Sequence, residues 1–129
     1  MDFLTSNSQL LLEKSMGFLW TKQAAILDNI ANAETPNYKV KYVTFEEALR
    51  SSVRMANLAA APRGAVRTAL TGSVPVVHTA ADESARMDEN GVDVSEQSME
   101  LVRNAFQVQH VYRAISGDMS RLLMAIRGQ

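Results

Sequence analysis

The sequence predicts a mainly α-helical protein whose two long terminal helices pack as a coiled coil, with a short irregular, β-containing middle segment. Two observations lead to this prediction. Both ends of the 129-residue chain carry apolar residues alternately four and three positions apart, which is the heptad pattern of packed helices. All three prolines lie in the middle. We therefore divide the chain into an N-terminal helix (1–35), a turn, short helix and irregular insertion (36–92), and a C-terminal coiled-coil helix (93–129).

The N-terminal helix is predicted over residues 6–33, a stretch without proline. Its apolar seam, interrupted once at Gln23, consists of Leu12, Met16, Leu19, Ile26 and Ile30. A second stripe beside it consists of Leu4, Leu11, Phe18 and Ala25. The combined face is wider than a two-stranded seam, so this helix should contact more than one neighbour. Because a residue before proline avoids the helical region, Pro36 should end the helix near Ala33.

The middle of the chain shows shorter and weaker patterns. Tyr38, Val40 and Tyr42 alternate with two lysines, which predicts a short extended piece. Thr44 and Glu47 have capping-box spacing, which favours a short helix from Phe45 onward to about residue 56. Between residues 59 and 88 the pattern dissolves, and we expect a loop or loosely ordered insertion in which only residues 74–79 resemble a strand.

The C-terminal helix has a marked beginning and an uninterrupted seam. Asn90-Gly91 is a turn signal, and Asp93 lies three residues before Glu96, the spacing of a capping box. The seam that follows is Leu101, Ala105, Val108, Tyr112, Ile115, Met119, Leu122 and Ile126. Two such long helices cannot bury all of their apolar surface against each other. We therefore expect the protein to complete its core with other chains.

Composition and motifs exclude several kinds of protein. Thirteen basic against fourteen acidic residues argue against a nucleic-acid binder, and the absence of cysteine excludes disulfides and cysteine-held zinc. His78 and His110 lack the spacing of metal ligands or of a catalytic motif. We predict no enzymatic activity, no catalytic, metal or cofactor site, and no small-molecule substrate. We also expect no cleaved signal peptide and no membrane span.

The most specific segment runs from residue 27 to residue 39, LDNIANAETPNYK, a helix end that leads into a tight turn. It resembles the signature of the bacterial flagellar rod, hook and hook-associated proteins, in which an Asn-x-Ala-Asn run is followed by Thr-Pro-Gly and an aromatic residue. Asn37 replaces the usual glycine, and Asp28 stands where asparagine is frequent. Both asparagine and glycine accept a positive φ, so the turn should survive.

Further matches narrow the resemblance to the flagellar basal-body rod protein family. They include the Tyr38-Lys39 pair, the FEEAL stretch that begins at Phe45, the NGVD run that begins at Asn90, and the AIRG ending. The resemblance covers roughly residues 8–50 and 87–128. It implies a structural subunit that leaves the cytoplasm through the flagellar export gate and assembles helically into the proximal part of the rod, in the periplasm.

The resemblance also implies partners and contact residues. The partners would be other rod proteins, the adapter at the membrane ring, the export gate, and copies of the chain itself. The signature residues expected to shape the turn and the subunit contacts are Asn29, Ile30, Ala31, Asn32, Thr35, Pro36 and Tyr38. The two terminal helices would pack together as a coiled coil in the inner layer of a tube and transmit torque.

Two alternatives of different classes stay open: a coiled-coil adapter and, second, an enzyme that uses His78 or His110. A free-standing coiled-coil adapter that binds a single partner helix would carry the same heptad seams. It should form a defined oligomer in dilute solution, whereas a rod subunit should be monomeric and partly disordered until it assembles.

Overall fold

The computed structural model describes residues 6–45, 63–80 and 90–128. Its elements, in chain order, are helix α1 (Asn7–Ala31), strand β1 (Lys41–Thr44), helix α2 (Arg63–Gly72), strand β2 (Val76–Thr79) and helix α3 (Val94–Arg127). The predicted mainly α fold with two long terminal helices and a β-containing middle is confirmed.

Helix α1 begins as its sequence predicts and ends two residues early. The Ser6 hydroxyl caps the first turn by accepting a hydrogen bond from the backbone N–H of Gln9 at 3.2 Å. The last helical residue is Ala31, and the backbone N–H of Asn32 closes the final turn onto the carbonyl of Asp28 at 3.1 Å. The chain leaves the helix before the proline because a series of tight turns already begins at Asn32.

Helix α3 has both of its ends capped. The Asp93 carboxylate accepts hydrogen bonds from the backbone N–H groups of Ser95 at 2.8 Å and Glu96 at 3.3 Å. At the other end Gly128 takes a φ of 71° and returns its N–H to the carbonyl of Met124 at 3.0 Å. A left-handed glycine is a common helix stop. The predicted start at residue 93 is confirmed, and the 34-residue helix is about 50 Å long.

The two long helices run antiparallel. The amide of Asn29, near the end of α1, donates to the Gln97 side chain near the start of α3 at 3.0 Å. At the opposite end the Gln9 amide lies 3.9 Å from the sulfur of Met119. Between these two points an ion pair joins Lys22 to Glu100 at 2.9 Å. The first turns of α1 therefore lie beside the later part of α3.

A small two-stranded antiparallel sheet packs beside the helix pair. Lys41 of β1 faces Thr79, and Thr44 faces Val76 of β2. One more backbone bond, from Ala80 to the carbonyl of Val40, extends the ladder at 2.9 Å. Strand β2 falls within the predicted residues 74–79. The extended piece predicted at residues 38–42 overlaps β1 only partly, because the strand forms where β2 supplies partners.

Helix α2 corrects the expectation of a loop over residues 59–88. Val66, Ala69 and Leu70 lie at helical spacing and are among its less exposed positions, with Leu70 2% exposed, and Ser73 just after the helix is also buried. The Lys14 ammonium ties α2 to α1 by donating to the carbonyl of Thr71 at 3.1 Å. Its short length and the glycines near both of its ends, Gly64 and Gly72, hid this helix among turn residues. Apart from Phe45, the short helix predicted up to residue 56 lies outside the described residues.

The apolar core lies where β1 ends against the helix pair. Phe18 and Phe45 stack with their ring centroids 5.0 Å apart, and Leu19 completes the buried cluster. Val43 from β1 and two valines of α3, Val108 and Val111, pack around it. Phe45, directly after β1, is thereby held against both long helices.

Candidate assembly site

The turn after α1 is built by the signature segment. The backbone N–H of Thr35 bonds the carbonyl of Asn32 at 3.0 Å, and that of Tyr38 reaches the carbonyl of Thr35 at 3.4 Å. Between them Asn37 adopts a φ of 59°. This left-handed conformation is the one that glycine and asparagine accept most readily. The chain thus reverses direction and brings Tyr38 back against α1.

Asn29 is the centre of a buried hydrogen-bond network, with a side chain that is 0% exposed. Its Nδ2 donates to the backbone carbonyl of Lys41 at 2.8 Å and to the Oε1 of Gln97 at 3.0 Å. Its Oδ1 accepts from the backbone N–H of Lys41 at 2.8 Å, and the Tyr38 hydroxyl, which donates to Asp28, lies 3.4 Å from it. One amide therefore joins α1, β1 and α3, and both of its donor hydrogens and its acceptor are used.

Asn90 plays the corresponding part for the segment that leads into α3, and it is also 0% exposed. Its Nδ2 lies 3.1, 3.0 and 2.7 Å from the carbonyls of Asn32, Ala33 and Thr35. Its Oδ1 accepts from the backbone N–H of Val92 at 2.8 Å. Asn90 thus binds three carbonyls of the turn that follows α1. The turn after α1 and the entry to α3 are locked to each other.

A charged cluster flanks this network on its solvent side. Lys41 pairs with Asp28 at 2.5 Å, and the Tyr38 hydroxyl donates to the same carboxylate oxygen at 3.1 Å. The hydrogen bond from Lys41, followed by that from Tyr38, lowers the pKa of Asp28 below its ordinary value. The same bond raises the pKa of Lys41, while burial raises the pKa of Tyr38. The shifts of Asp28 and Lys41 favour the ion pair, and the shift of Tyr38 keeps its hydroxyl protonated as a hydrogen-bond donor.

The signature residues thus divide into an inner and an outer group. Asn29 is fully buried, and Ile30, Asn32 and Tyr38 are partly buried against the rest of the chain. Ala31, Thr35 and Pro36 are exposed. Within one chain the inner group shapes the turn, and the outer group is available to a neighbouring molecule.

The residues predicted for the helix seams are placed unevenly. In α1, Leu19 and Ile26 are buried, and Leu12, Met16 and Ile30 are partly buried. In α3, a line of buried and partly buried residues runs through Gln97, Leu101, Asn104, Val108, Val111 and Ile115. It shares Leu101, Val108 and Ile115 with the predicted seam. The remaining predicted residues are exposed: Ala105, Tyr112, Met119, Leu122 and Ile126.

Polar side chains at the helix interface explain this shift. Asn104 is 0% exposed and donates to the carbonyl of Leu19 at 3.2 Å, and Gln97 bonds Asn29. A search for apolar heptads passes over both residues and selects the neighbouring Ala105 instead. The signal that would have found them is an amide side chain at heptad spacing within an otherwise apolar stripe. Among the described residues, the Oδ1 of Asn104 has no hydrogen-bond partner.

Large apolar side chains remain in water along one side of the helix pair. Trp20 is 63% exposed on α1, and Phe106 and Tyr112 are 68% and 66% exposed on α3. Between the helices lies an open groove lined by Gln9, Glu13, Met16, Gly17, Trp20 and Ile115. Helix α3 then continues past Met119, where its last two turns expose further apolar residues up to Ile126, which is 80% exposed.

The two histidines have structural surroundings. The His78 ring stacks on Tyr42 with centroids 5.3 Å apart, and its Nε2 lies 2.7 Å from the Thr44 hydroxyl. His110 lies exposed on α3, at the rim of a groove that contains Phe106.

Within residues 6–45, 63–80 and 90–128, no group of metal-binding side chains comes together. In the same ranges, none of the helices has the length and apolarity that crossing a bilayer requires.

This combination of features is typical of a helical structural subunit that packs against further chains. Comparison with known proteins agrees. The chain is 31% identical over 118 residues to the flagellar basal body rod protein FlgB of Bacillus subtilis, covering 91% of each protein. It is 29% identical over 112 residues to the protein of the same name from Aeromonas hydrophila, covering 84% of this chain and 85% of that protein. No protein-family model matches the chain. The chain belongs to the FlgB family of flagellar basal body rod proteins.

Proposed function

We propose that the chain is a structural subunit of the proximal part of the flagellar rod, where it assembles helically, connects the membrane ring to the distal rod and transmits torque. Membership of the FlgB family supports this proposal. Its neighbours would be other rod proteins, the adapter at the membrane ring and further copies of the chain. The subunit would pass the export gate without a cleaved signal peptide.

The observation that carries this proposal is the apolar surface left on a single chain. Trp20, Phe106 and Tyr112 each expose more than half of their area, and all three line one groove between the long helices. Burying a large apolar side chain contributes about 1.5–3 kcal/mol. Lateral packing of such helices supplies a strong and stiff contact of the kind that a torque-bearing tube needs. Catalysis plays no part in this role.

Replacing Ile115 with aspartate tests the role of helix packing. Ile115 is partly buried where α3 faces the first half of α1, so a carboxylate there should cost about 3 kcal/mol. In a strain whose only copy carries Ile115→Asp, we expect no rod and no filament, with export of the subunit less affected. Electron microscopy of isolated basal bodies and a swimming assay measure the result.

The control places the same charge on the same turn of α3, at the exposed Ser116. Purified Ser116→Asp should keep the helical circular dichroism of the unchanged chain. A normally motile Ile115→Asp strain would contradict the packing role.

Two further measurements separate the rod subunit from its rivals. Sedimentation of the dilute purified chain should show a monomer, whereas a free-standing coiled-coil adapter would show one defined oligomer. Replacing both His78 and His110 with alanine should leave motility unchanged. Loss of motility with intact rods would instead indicate that a histidine has a catalytic role.

A further inference from the structure

Within residues 6–45, 63–80 and 90–128, two apolar surfaces of the molecule have nothing packed on them, and they do not overlap. The first is the open groove described above, between α1 and Ile115 of α3. The second, which we call the overhang, is the end of α3 from residue 120 to residue 127. Every residue of the overhang is exposed, including Leu123 at 51% and Ile126 at 80%.

The overhang exists because the helices differ in length. The first turns of α1 reach α3 at Met119, where the Gln9 amide approaches the sulfur. Beyond that point α3 continues for eight residues, about 12 Å. Its apolar side chains, Leu122, Leu123, Met124 and Ile126, are between 38% and 80% exposed. The end of α3 has the composition of an interface and lacks a cover among the described residues.

The groove matches the overhang in length and in chemistry. Its α1 wall runs from Gln9 to Trp20, about 17 Å of helix, which accommodates a 12 Å apolar segment. Met16 and Trp20 offer adaptable and aromatic apolar surface. The exposed carboxylate of Glu13 lies in the same wall, and exposed Arg127 lies at the end of the overhang. Opposite charges thus stand beside two apolar surfaces of similar extent.

We propose that the overhang of one copy docks into the open groove of a second copy, with Arg127 placed against Glu13. Groove and overhang are different surfaces, so the contact is head-to-tail, and in the proposed rod it continues from copy to copy as an open helical array. This inference rests on the proposed rod function and specifies the surfaces through which successive copies meet. Contacts with other rod proteins would use other faces of the chain.

Cysteine cross-linking of the full purified chain tests the contact, since the natural sequence contains no cysteine. Gly17 lines the groove, and a Cβ built there meets nothing within 4 Å, so Gly17→Cys should be tolerated. Ala125→Cys marks the overhang. Within one chain Ala125 lies about 15 Å along the helix beyond Ile115, too far for a disulfide to Gly17→Cys, which needs Cα atoms within about 7 Å.

Mild oxidation of the double variant, at a protein concentration far above that of the sedimentation experiment, should trap the contact as a ladder of dimers, trimers and longer chains on a denaturing gel. Each single variant can give at most a dimer. The matched control is Gly64→Cys with Ala125→Cys, because Gly64 is another exposed helical glycine with open space around its Cβ. That control should give at least fivefold less material beyond the dimer. An equal ladder in both pairs, or none with Gly17→Cys, overturns the proposal.

Charge reversal supplies a second, independent readout. In the Gly17→Cys, Ala125→Cys double variant, Glu13→Arg alone and Arg127→Glu alone should each reduce the amount of cross-linked product severalfold. The two reversals together should restore that amount. Failure of the combined reversal to restore the ladder overturns the pairing of Glu13 with Arg127. If the ladder is absent while Ile115→Asp still abolishes the rod in cells, the docking proposal falls and the proposed rod function stands.

Discussion

Removing the amide of Asn29 gives the sharpest test of how the two long helices are held together. Asn29→Ala removes the partners of three groups: the N–H and the carbonyl of Lys41, and the Oε1 of Gln97. The Gln97 oxygen bonds Asn29 in a buried setting, and an acceptor stranded there costs about 1–3 kcal/mol. The two Lys41 groups are partly buried, so water replaces part of what they lose. We expect a total loss of about 2–4 kcal/mol in the free energy of unfolding.

The assay is urea unfolding of the dilute chain, followed by circular dichroism at 222 nm. With an m value of about 2 kcal/mol per M, the midpoint should fall by about 1–2 M. Hydrogen exchange gives a local readout, since the backbone N–H of Lys41 is bonded to the Asn29 Oδ1 at 2.8 Å. Its exchange should accelerate at least tenfold in the variant.

The matched control is Asn32→Ala, three residues further along the chain. The Asn32 amide bonds mainly the carbonyl of Asp28 in the preceding turn, at 2.8 Å, so its loss should cost less than about 1 kcal/mol. If Asn29→Ala shifts the midpoint no more than Asn32→Ala does, the network is not what joins the helices, and the reasoning is wrong.

Three further predictions concern other contacts of the same chain. Glu100→Gln should lower stability by about 0.5–1 kcal/mol, and high salt should shrink this difference, because the pair with Lys22 is partly exposed. Folding lowers the pKa of Asp28, so this carboxylate stabilises the folded chain at pH values above the ordinary aspartate pKa. That stabilisation is lost as the pH falls through the lowered pKa that Asp28 has in the folded chain. A series of urea titrations from pH 6 to pH 2 should show this loss, with a flatter profile for Asp28→Asn. Leu70→Ala should cost about 2–4 kcal/mol by urea unfolding, since Leu70 is 2% exposed; a cost near zero would mean that α2 does not pack on α1 in solution.

The ends of the long helices could be predicted from sequence because local chemistry determines them. Ser6 and Asp93 cap their helices with their own side chains, and both lie beside the first helical residue. The turn after α1 could likewise be predicted from sequence. Asparagine is one of the few residue types that accept the φ of 59° found at Asn37.

The contact face of α3 could not be read in the same way. Two heptad assignments are available, one through Ala105 and Tyr112 and one through Asn104 and Val111. The first is fully apolar, but the structure buries the second, because the Asn104 amide finds the carbonyl of Leu19. A hydrogen bond between residues 85 positions apart leaves no local trace in the sequence. The pairing of β1 with β2, which decides where β1 begins, likewise joins residues far apart in the sequence.

The buried amides are concentrated at one end of the helix pair, and this has a mechanical consequence. Asn29 and Asn90 clamp that end to the sheet and to the turn. At the far end the described cross-helix bond is a weak contact from the Gln9 amide to the Met119 sulfur. Thermal fraying should therefore start at the far end and stop near Leu19, where Asn104 crosses the interface. The helix ends near Gln9 and Met119 should therefore separate to admit a neighbouring chain, while the ends joined by Asn29 and Asn90 stay together.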